Sequence, residues 1–185
     1  VIEAELTSLP DSFFSGLGNL ETVELSDTIT DMGGFTFNGC EKLKNVKLPA
    51  NLEKIRAWAF RYCTGLEEIE IPDKVTEIVE YAFGGCSSLK NIQLPSDLKN
   101  IGFYVFDSCE AMKEITIPEG VETIEFGAFS NCTGLESVEL PDSIKTVYNE
   151  YGSIQRYGLA NSVFAYCTSL KSVKLPKDLK YIEYN

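Results

Sequence analysis

The sequence repeats itself every 23 residues, and this period limits the chain to folds built from stacked, similar units. Cysteine, phenylalanine and proline recur in one register, with each phenylalanine three residues before a cysteine and each proline nine residues after it. Three residue types that hold a common spacing along the chain are the signature of a repeat protein. The residues concerned are Phe37, Phe60, Phe83, Phe106, Phe129, Phe164, Cys40, Cys63, Cys86, Cys109, Cys132, Cys167, Pro49, Pro72, Pro95, Pro118, Pro141 and Pro176.

Each unit predicts one short strand and one turn. Apolar and polar residues alternate in Val46-Lys47-Leu48, and Pro49 ends the strand because proline cannot donate to a sheet ladder. The Phe-x-x-Cys segment is too short for a long helix and predicts a turn of α-helix or 3₁₀ helix. A unit of this size cannot bury its own apolar face, so the units must stack around one continuous core, with their strands parallel.

The predicted domain is a single repeat solenoid over residues 1–185, with about seven to eight turns. The last interval between cysteines, from Cys132 to Cys167, is 35 residues, 12 more than the period. An insertion into a solenoid must leave the stack as a surface loop, and we place it near residues 148–159. Both ends of the sequence fall in mid-pattern, which favours a portion of a longer protein.

The composition excludes several classes of function. The chain has 28 acidic and 16 basic residues, a net charge of −12 and no histidine. Nucleic acids and anionic membranes bind basic surfaces, so neither partner is expected. No apolar stretch is long enough to span a bilayer. No phosphate-binding loop, nucleophile motif or metal motif is visible, so we expect no cofactor and no enzymatic activity.

The consensus L-x-x-V-x-L-P-x-x-V-x-x-I-x-x-x-A-F-x-x-C resembles the BspA-type leucine-rich repeat. Residues 69–89 and 115–135 match it closely. The resemblance implies a leucine-rich-repeat solenoid, a right-handed coil with a parallel sheet on the concave side and short helical, 3₁₀ or irregular segments opposite. It further implies a bacterial or protozoan surface protein, extracellular or attached to the cell surface, that adheres to host, matrix or microbial partners.

The six cysteines predict a column of buried, reduced thiols. Their spacing of 23 residues is far from the close pairs of metal sites, although stacked neighbours about 5 Å apart could form disulfides. Leu17 fills the cysteine slot of the first unit, which indicates an apolar, internal position. One or more disulfides therefore remain an alternative to free thiols.

Aromatic residues provide the first candidate binding site. Two residues before the core phenylalanine, successive units carry aromatic residues, and Phe103 and Phe126 lie one position earlier. Stacking would align them in a stripe that either binds a sugar or peptide or packs over the core. The candidate binding residues in this stripe are Trp58, Tyr81, Tyr104 and Phe126.

The insertion provides the second candidate site, because recognition residues concentrate on irregular loops carried by rigid scaffolds. Its candidate residues are Tyr148, Tyr151, Arg156 and Tyr157, and the alternative is a tolerated insertion without a role. The outward residues of the strands, such as Asn45 and Lys47, form a polar ladder without aromatic residues. This ladder favours a solvated face over a tight protein epitope.

The sequence thus predicts a non-catalytic extracellular module for recognition or adhesion, with a protein or glycan partner. The alternative is a passive spacer that presents another domain from the cell surface. Exposed end turns could also pair with a second copy of the chain. Carboxylate pairs such as Glu68 and Glu70 could in principle hydrolyse glycosides, but a flat sheet face offers water rather than a dry pocket.

Overall fold

The computed structural model describes residues 6–144, 147–148, 154–156 and 162–177, and these residues form a parallel β-solenoid. The strands in this part of the chain are short. In order, they are β1 Ser8–Leu9, β2 Thr22–Glu24, β3 Asp31–Met32, β4 Asn45–Lys47, β5 Lys54–Ile55, β6 Glu68–Glu70, β7 Glu77–Ile78, β8 Asn91–Gln93, β9 Asn100–Ile101, β10 Glu114–Thr116, β11 Thr123–Ile124, β12 Ser137–Glu139, β13 Val147–Tyr148, β14 Ile154–Arg156 and β15 Ser172–Lys174.

The predicted sheet consists of the three-residue strands that precede each proline. Strand β2 pairs with β4, β6 with β8, and β10 with β12 and then β15, all parallel. The register is one repeat, so Val23 lies opposite Val46 and Ile69 opposite Ile92. The middle residue of each strand faces the core, while its two neighbours are exposed and form what we call the strand face.

A second parallel ladder, which the sequence analysis did not predict, follows each proline turn. Its two-residue strands pair in the order β5, β7, β9 and β11, and β1 pairs with β3. Ile55, Ile78 and Ile101 stack along it and are fully buried. A two-residue strand is too short to show alternation in the sequence, so this ladder arises from stacking alone.

The Phe-x-x-Cys segments form turns, and the described residues contain no helix. Within one unit, the backbone N–H of Arg61 donates to Trp58 O at 3.2 Å, and Cys63 N–H donates to Phe60 O at 3.1 Å. The resemblance implied helical, 3₁₀ or irregular segments at this place, and the structure has turns. We call this side of the solenoid the turn face.

Left-handed residues prevent the turns from continuing as helix, because an L-residue helix cannot propagate through positive φ. Two slots of each unit have φ near +60°, one two residues before the core phenylalanine and one two residues after it. The earlier slot holds Ser12, Phe35, Trp58, Tyr81, Tyr104, Gly127 and Ser162; the later slot holds Gly16, Gly39, Tyr62, Gly85, Ser108, Asn131 and Tyr166.

The core phenylalanines form one continuous stack, as predicted. Phe37, Phe60, Phe83, Phe106 and Phe129 have no exposed surface, and their ring centroids lie 5.1 to 5.7 Å apart. The stack extends to Phe14 at one end and to Phe164 at the other. Equivalent residues of consecutive units therefore fill a single elongated interior.

The cysteines are free thiols, which excludes the disulfide alternative, and those from Cys40 to Cys132 are buried. Each thiol donates a hydrogen bond to the carbonyl of the core phenylalanine one unit earlier, as Cys63 Sγ does to Phe37 O at 3.2 Å and Cys86 Sγ to Phe60 O at 3.1 Å. Burial raises the pKa of the Cys86 thiol to about 12, so it stays protonated and able to donate.

Leu17 does not share the burial of the cysteine slot, since 48% of its surface is exposed. It lies in the first described turn, where no described unit packs over its outer side. The expectation that this slot is internal thus holds for Cys63 and Cys86 but is wrong for Leu17 itself.

Candidate functional site

The aromatic stripe is the first candidate site that the structure assembles. Phe35, Trp58, Tyr81 and Tyr104 stack in sequence, with ring centroids 5.2, 5.2 and 4.9 Å apart. Phe126 completes the series edge-on, 5.3 Å from Tyr104. We call these five residues the aromatic ladder. The prediction that Trp58, Tyr81, Tyr104 and Phe126 lie together is confirmed.

Phe126 joins the ladder from a neighbouring slot because Gly127 occupies the ladder slot of its unit. A Cβ at Gly127 would lie only 2.4 Å from the Tyr104 ring. The Tyr104 ring therefore covers Gly127. The rings of Tyr104 and Phe126 contact each other at an interplanar angle of 75°.

The backbone of the ladder is in a conformation that disfavours aromatic residues. Phe35, Trp58, Tyr81 and Tyr104 have φ between 53° and 61°, a region that glycine or asparagine occupies at lower cost. Each such residue costs about 1–2 kcal/mol, which ring stacking of about 0.5–1.5 kcal/mol per pair offsets. The rings are half-buried, and Phe35 is 38% exposed, so the ladder both covers the core and reaches solvent.

Arg61 and Tyr62 extend the ladder on the turn face. The guanidinium of Arg61 lies 4.1 Å from the centre of the Trp58 ring, 4.4 Å from that of Tyr62 and 4.8 Å from that of Tyr81. Neither residue was predicted from the sequence. One signal was available: Tyr62 falls in a slot that other units fill with glycine, at Gly39 and Gly85.

The insertion lies mostly outside the described residues. Tyr148 belongs to β13 and Arg156 to β14, and these strands form an antiparallel pair in which Val147 lies opposite Arg156. Tyr151 and Tyr157 lie outside the described residues. The insertion thus leaves the parallel register, and its recognition role stays a prediction.

The strand face is polar and internally paired. Lys47 Nζ lies 2.7 Å from Glu24 Oε1 in the unit before it, and Lys174 pairs in the same way with Glu139. Beside the strands, Lys90 pairs with Glu67 at 2.7 Å. These side chains are more than half exposed, so solvent screens each pair and its contribution to stability is small, in keeping with a solvated face.

Glu125 is a half-buried carboxyl group with a raised pKa. Its pKa is raised to about 7, chiefly by partial burial and to a smaller extent by the carboxylates of Glu77 and Glu80, while a hydrogen bond from the backbone N–H of Phe103 lowers it. The folded protein therefore holds this proton at pH values where the unfolded chain has released it.

We expect the free energy of unfolding to fall as the pH rises from about 4.5 to about 7, because the raised pKa of Glu125 makes the folded state bind more protons than the unfolded one. After allowance for solvent screening at this half-exposed group, the loss is on the order of 1 kcal/mol. Glu125→Gln removes this slope, and Glu70→Gln on the exposed strand face is the control of equal charge. Urea denaturation at several pH values measures how the free energy of unfolding depends on pH. The same dependence in wild type and Glu125→Gln would contradict the raised pKa of Glu125.

The part of the chain that the structure describes contains no cluster of three or more side chains suited to hold a metal ion. Within the same residues, no helix has the length and hydrophobicity needed to cross a bilayer.

Comparisons with known proteins agree with this architecture. The chain matches the family model described as a BspA type leucine rich repeat region, in six copies over residues 1–112, 53–151 and 153–185. No curated protein matches it.

Solved structures show the same fold. A leucine rich cell surface protein from Faecalibacterium prausnitzii A2-165 is 24% identical, with a TM-score of 0.64 over 91% of this chain and 51% of that one. The leucine rich repeat protein of T. pallidum is 28% identical, with a TM-score of 0.61 over 96% of this chain and 67% of that one. A leucine-rich repeat protein from Bacteroides ovatus is 24% identical, with a TM-score of 0.61 over 91% and 58%.

The chain spans about half to two thirds of the length of these solved proteins. The family model, in contrast, covers nearly every residue of this chain. The chain therefore belongs to the BspA-type leucine-rich-repeat family.

Proposed function

We propose that this chain is a non-catalytic recognition module on a cell surface, and that it binds a partner protein through the aromatic ladder. The observation that carries the proposal is the continuous row of half-buried aromatic rings on backbone that favours glycine. Rigid aromatic side chains offer a large contact area and lose little entropy on binding. The description of the F. prausnitzii neighbour as a cell surface protein supports the location.

A protein partner fits the ladder better than a glycan does. The rings of Phe35 and Trp58 stack on each other, as do those of Tyr81 and Tyr104, so each of these rings has one face covered by its neighbour. A sugar ring that packs on an aromatic residue needs an open ring face, whereas a peptide side chain can lie across ring edges. Glycan binding is therefore kept as an outcome of the test.

The second candidate function is a passive spacer, and the strand face supports it. Charged residues there pair with each other from unit to unit, as in Lys47 with Glu24, and offer no apolar anchor. A rod with one continuous core could extend another domain away from the surface without binding anything.

The test is a binding screen of the labelled protein against cells, matrix proteins and glycans. The double variant Tyr104→Ala/Phe126→Ala removes one end of the ladder, and Asn45→Ala/Gln93→Ala makes a matched change on the strand face. We expect the ladder variant to lose at least tenfold in affinity and the strand-face variant to bind like wild type, since buried aromatic anchors dominate interfaces.

Three results would contradict the proposal. Equal binding by the ladder variant and wild type would exclude the ladder as the site. Loss of binding only when residues 148–159 are deleted would move recognition to the insertion. Wild-type protein that binds no target above background would favour the spacer. Circular dichroism of each variant verifies that the fold is retained.

A further inference from the structure

Arg61 is held rigidly by aromatic rings on the turn face. Its guanidinium lies within 4.8 Å of three ring centres, those of Trp58, Tyr62 and Tyr81. Stacking of this kind covers the weakly hydrated faces of the guanidinium and leaves its N–H edge for acceptors. The side chain is thus preorganised, and a ligand that bound it would not have to order it first.

The side chain of Arg61 forms no hydrogen bond or ion pair with any of the described residues, and its Nε is buried without a partner. Arg56, five residues earlier, differs: its Nε lies 2.8 Å from Asp31 Oδ1, and its Nη2 lies 3.0 Å from Asp31 Oδ2. The protein itself satisfies the guanidinium of Arg56 but leaves a donor of Arg61 unpaired, which is unfavourable next to apolar groups.

Among the described residues, no acidic side chain pairs with the guanidinium of Arg61. Gly84 fills the Arg61 slot in the next unit, so no side chain reaches over from there. Asp107 fills that slot two units away, about 10 Å along the stack. Its Oδ1 accepts a hydrogen bond from Asn131 Nδ2 at 2.9 Å instead.

We propose that Arg61 receives a carboxylate of an acidic peptide segment in the partner protein, while Trp58, Tyr62 and Tyr81 contact the apolar residues beside that carboxylate. This inference rests on the proposed function and names the chemistry of its partner. Because Nε is buried, a ligand meets the edge formed by the two Nη nitrogens, which can donate two parallel N–H···O bonds to a carboxylate. Tyr62, 47% exposed, and Arg61 supply the residue types that dominate binding hot spots.

The experiment selects binders from a random peptide library displayed on phage, with wild-type protein as the target. Each selected peptide is then synthesised with its carboxylates intact and with Asp and Glu replaced by Asn and Gln. Binding is measured by anisotropy of the labelled peptide. Fluorescence of Trp58, the only tryptophan in the chain, reports whether the peptide lies at the cluster. The variants are Arg61→Gln, Arg61→Lys and the charge-matched control Arg56→Gln.

We expect selected peptides to carry an acidic residue beside an apolar one and to change Trp58 fluorescence. Arg61→Gln should weaken them at least tenfold, and so should the amide peptides, because a charged, two-point hydrogen bond is lost. Arg61→Lys should recover part of the affinity and Arg56→Gln should bind like wild type.

Equal affinity of wild type and Arg61→Gln, or of acidic and amide peptides, would overturn the inference. Binding lost with Tyr104→Ala/Phe126→Ala but retained with Arg61→Gln would overturn it and leave the proposed function standing. A selection that yields no peptide acting at the cluster would overturn it too. If, in the binding screen described above, acidic glycans alone bind and depend on Arg61, that result would overturn the peptide assignment in favour of a sugar acid.

Discussion

Replacing Phe83 with alanine should lower the free energy of unfolding by about 3–5 kcal/mol, because it opens a cavity in the middle of the stack. Phe83 has no exposed surface, and its ring lies 5.3 Å from Phe60 and 5.7 Å from Phe106. Both neighbours belong to other units and are fixed by their own backbone ladders, so the cavity has little freedom to collapse. Chemical denaturation of the purified variant measures the loss.

The control for this substitution is Gln93→Ala on the strand face. Gln93 is exposed, so its loss should change the free energy of unfolding by less than about 0.5 kcal/mol. Similar denaturation midpoints for Phe83→Ala and wild type would contradict a packed phenylalanine column.

Replacing Cys86 with alanine should cost about 2 kcal/mol, more than its small size suggests. The change removes buried sulfur contacts and also leaves Phe60 O without the thiol that donates to it at 3.1 Å. Cys86→Ser keeps a donor and should lose less. Denaturation under reducing conditions, for both variants, separates the hydrogen bond from the packing.

Cys167→Ala is the matched control, because Cys167 donates to Phe129 O in the same way, at 3.1 Å, but is only partly buried. Alanine at the partly exposed Cys167 removes fewer buried sulfur contacts, so the loss should be smaller than at Cys86. Equal losses at the two positions would contradict the role that burial has in this prediction.

The sequence predicted those parts of the fold that depend on repetition. The residue types of Phe83, Cys86 and Pro95 recur at a fixed interval. When the units stack, equivalent residues align in columns and the strands pair in a parallel register. The second ladder was not predictable in this way, because Ile78 and its equivalents stand in two-residue strands with no alternation. The hydrogen bonds of the thiols were also missed, since spacing shows where cysteines stack but not which carbonyl each one meets.

The candidate site was predictable in part for the same reason. Trp58 and Tyr81 share a slot, so stacking alone brought them together. Arg61 belongs to no aromatic column, and its contact with three rings depends on the left-handed backbone at Trp58 and Tyr62. Glycine in a sequence indicates a position that can adopt positive φ, but an aromatic residue does not. The left-handed backbone at these positions was therefore visible only in the folded turn. The number of turns over the whole of residues 1–185 stays a prediction.

The central claim is that equivalent side chains of adjacent units lie directly over one another, and a double-mutant cycle between core phenylalanines tests it most directly. Phe60 and Phe83 are 5.3 Å apart with nearly parallel rings, whereas Phe60 and Phe129 lie three units apart. Leucine at each position keeps the variants folded. We expect a coupling energy of about 0.5–1.5 kcal/mol for Phe60 with Phe83, and additivity within about 0.5 kcal/mol for Phe60 with Phe129. Additive losses for the adjacent pair, or equal coupling for both pairs, would contradict the account.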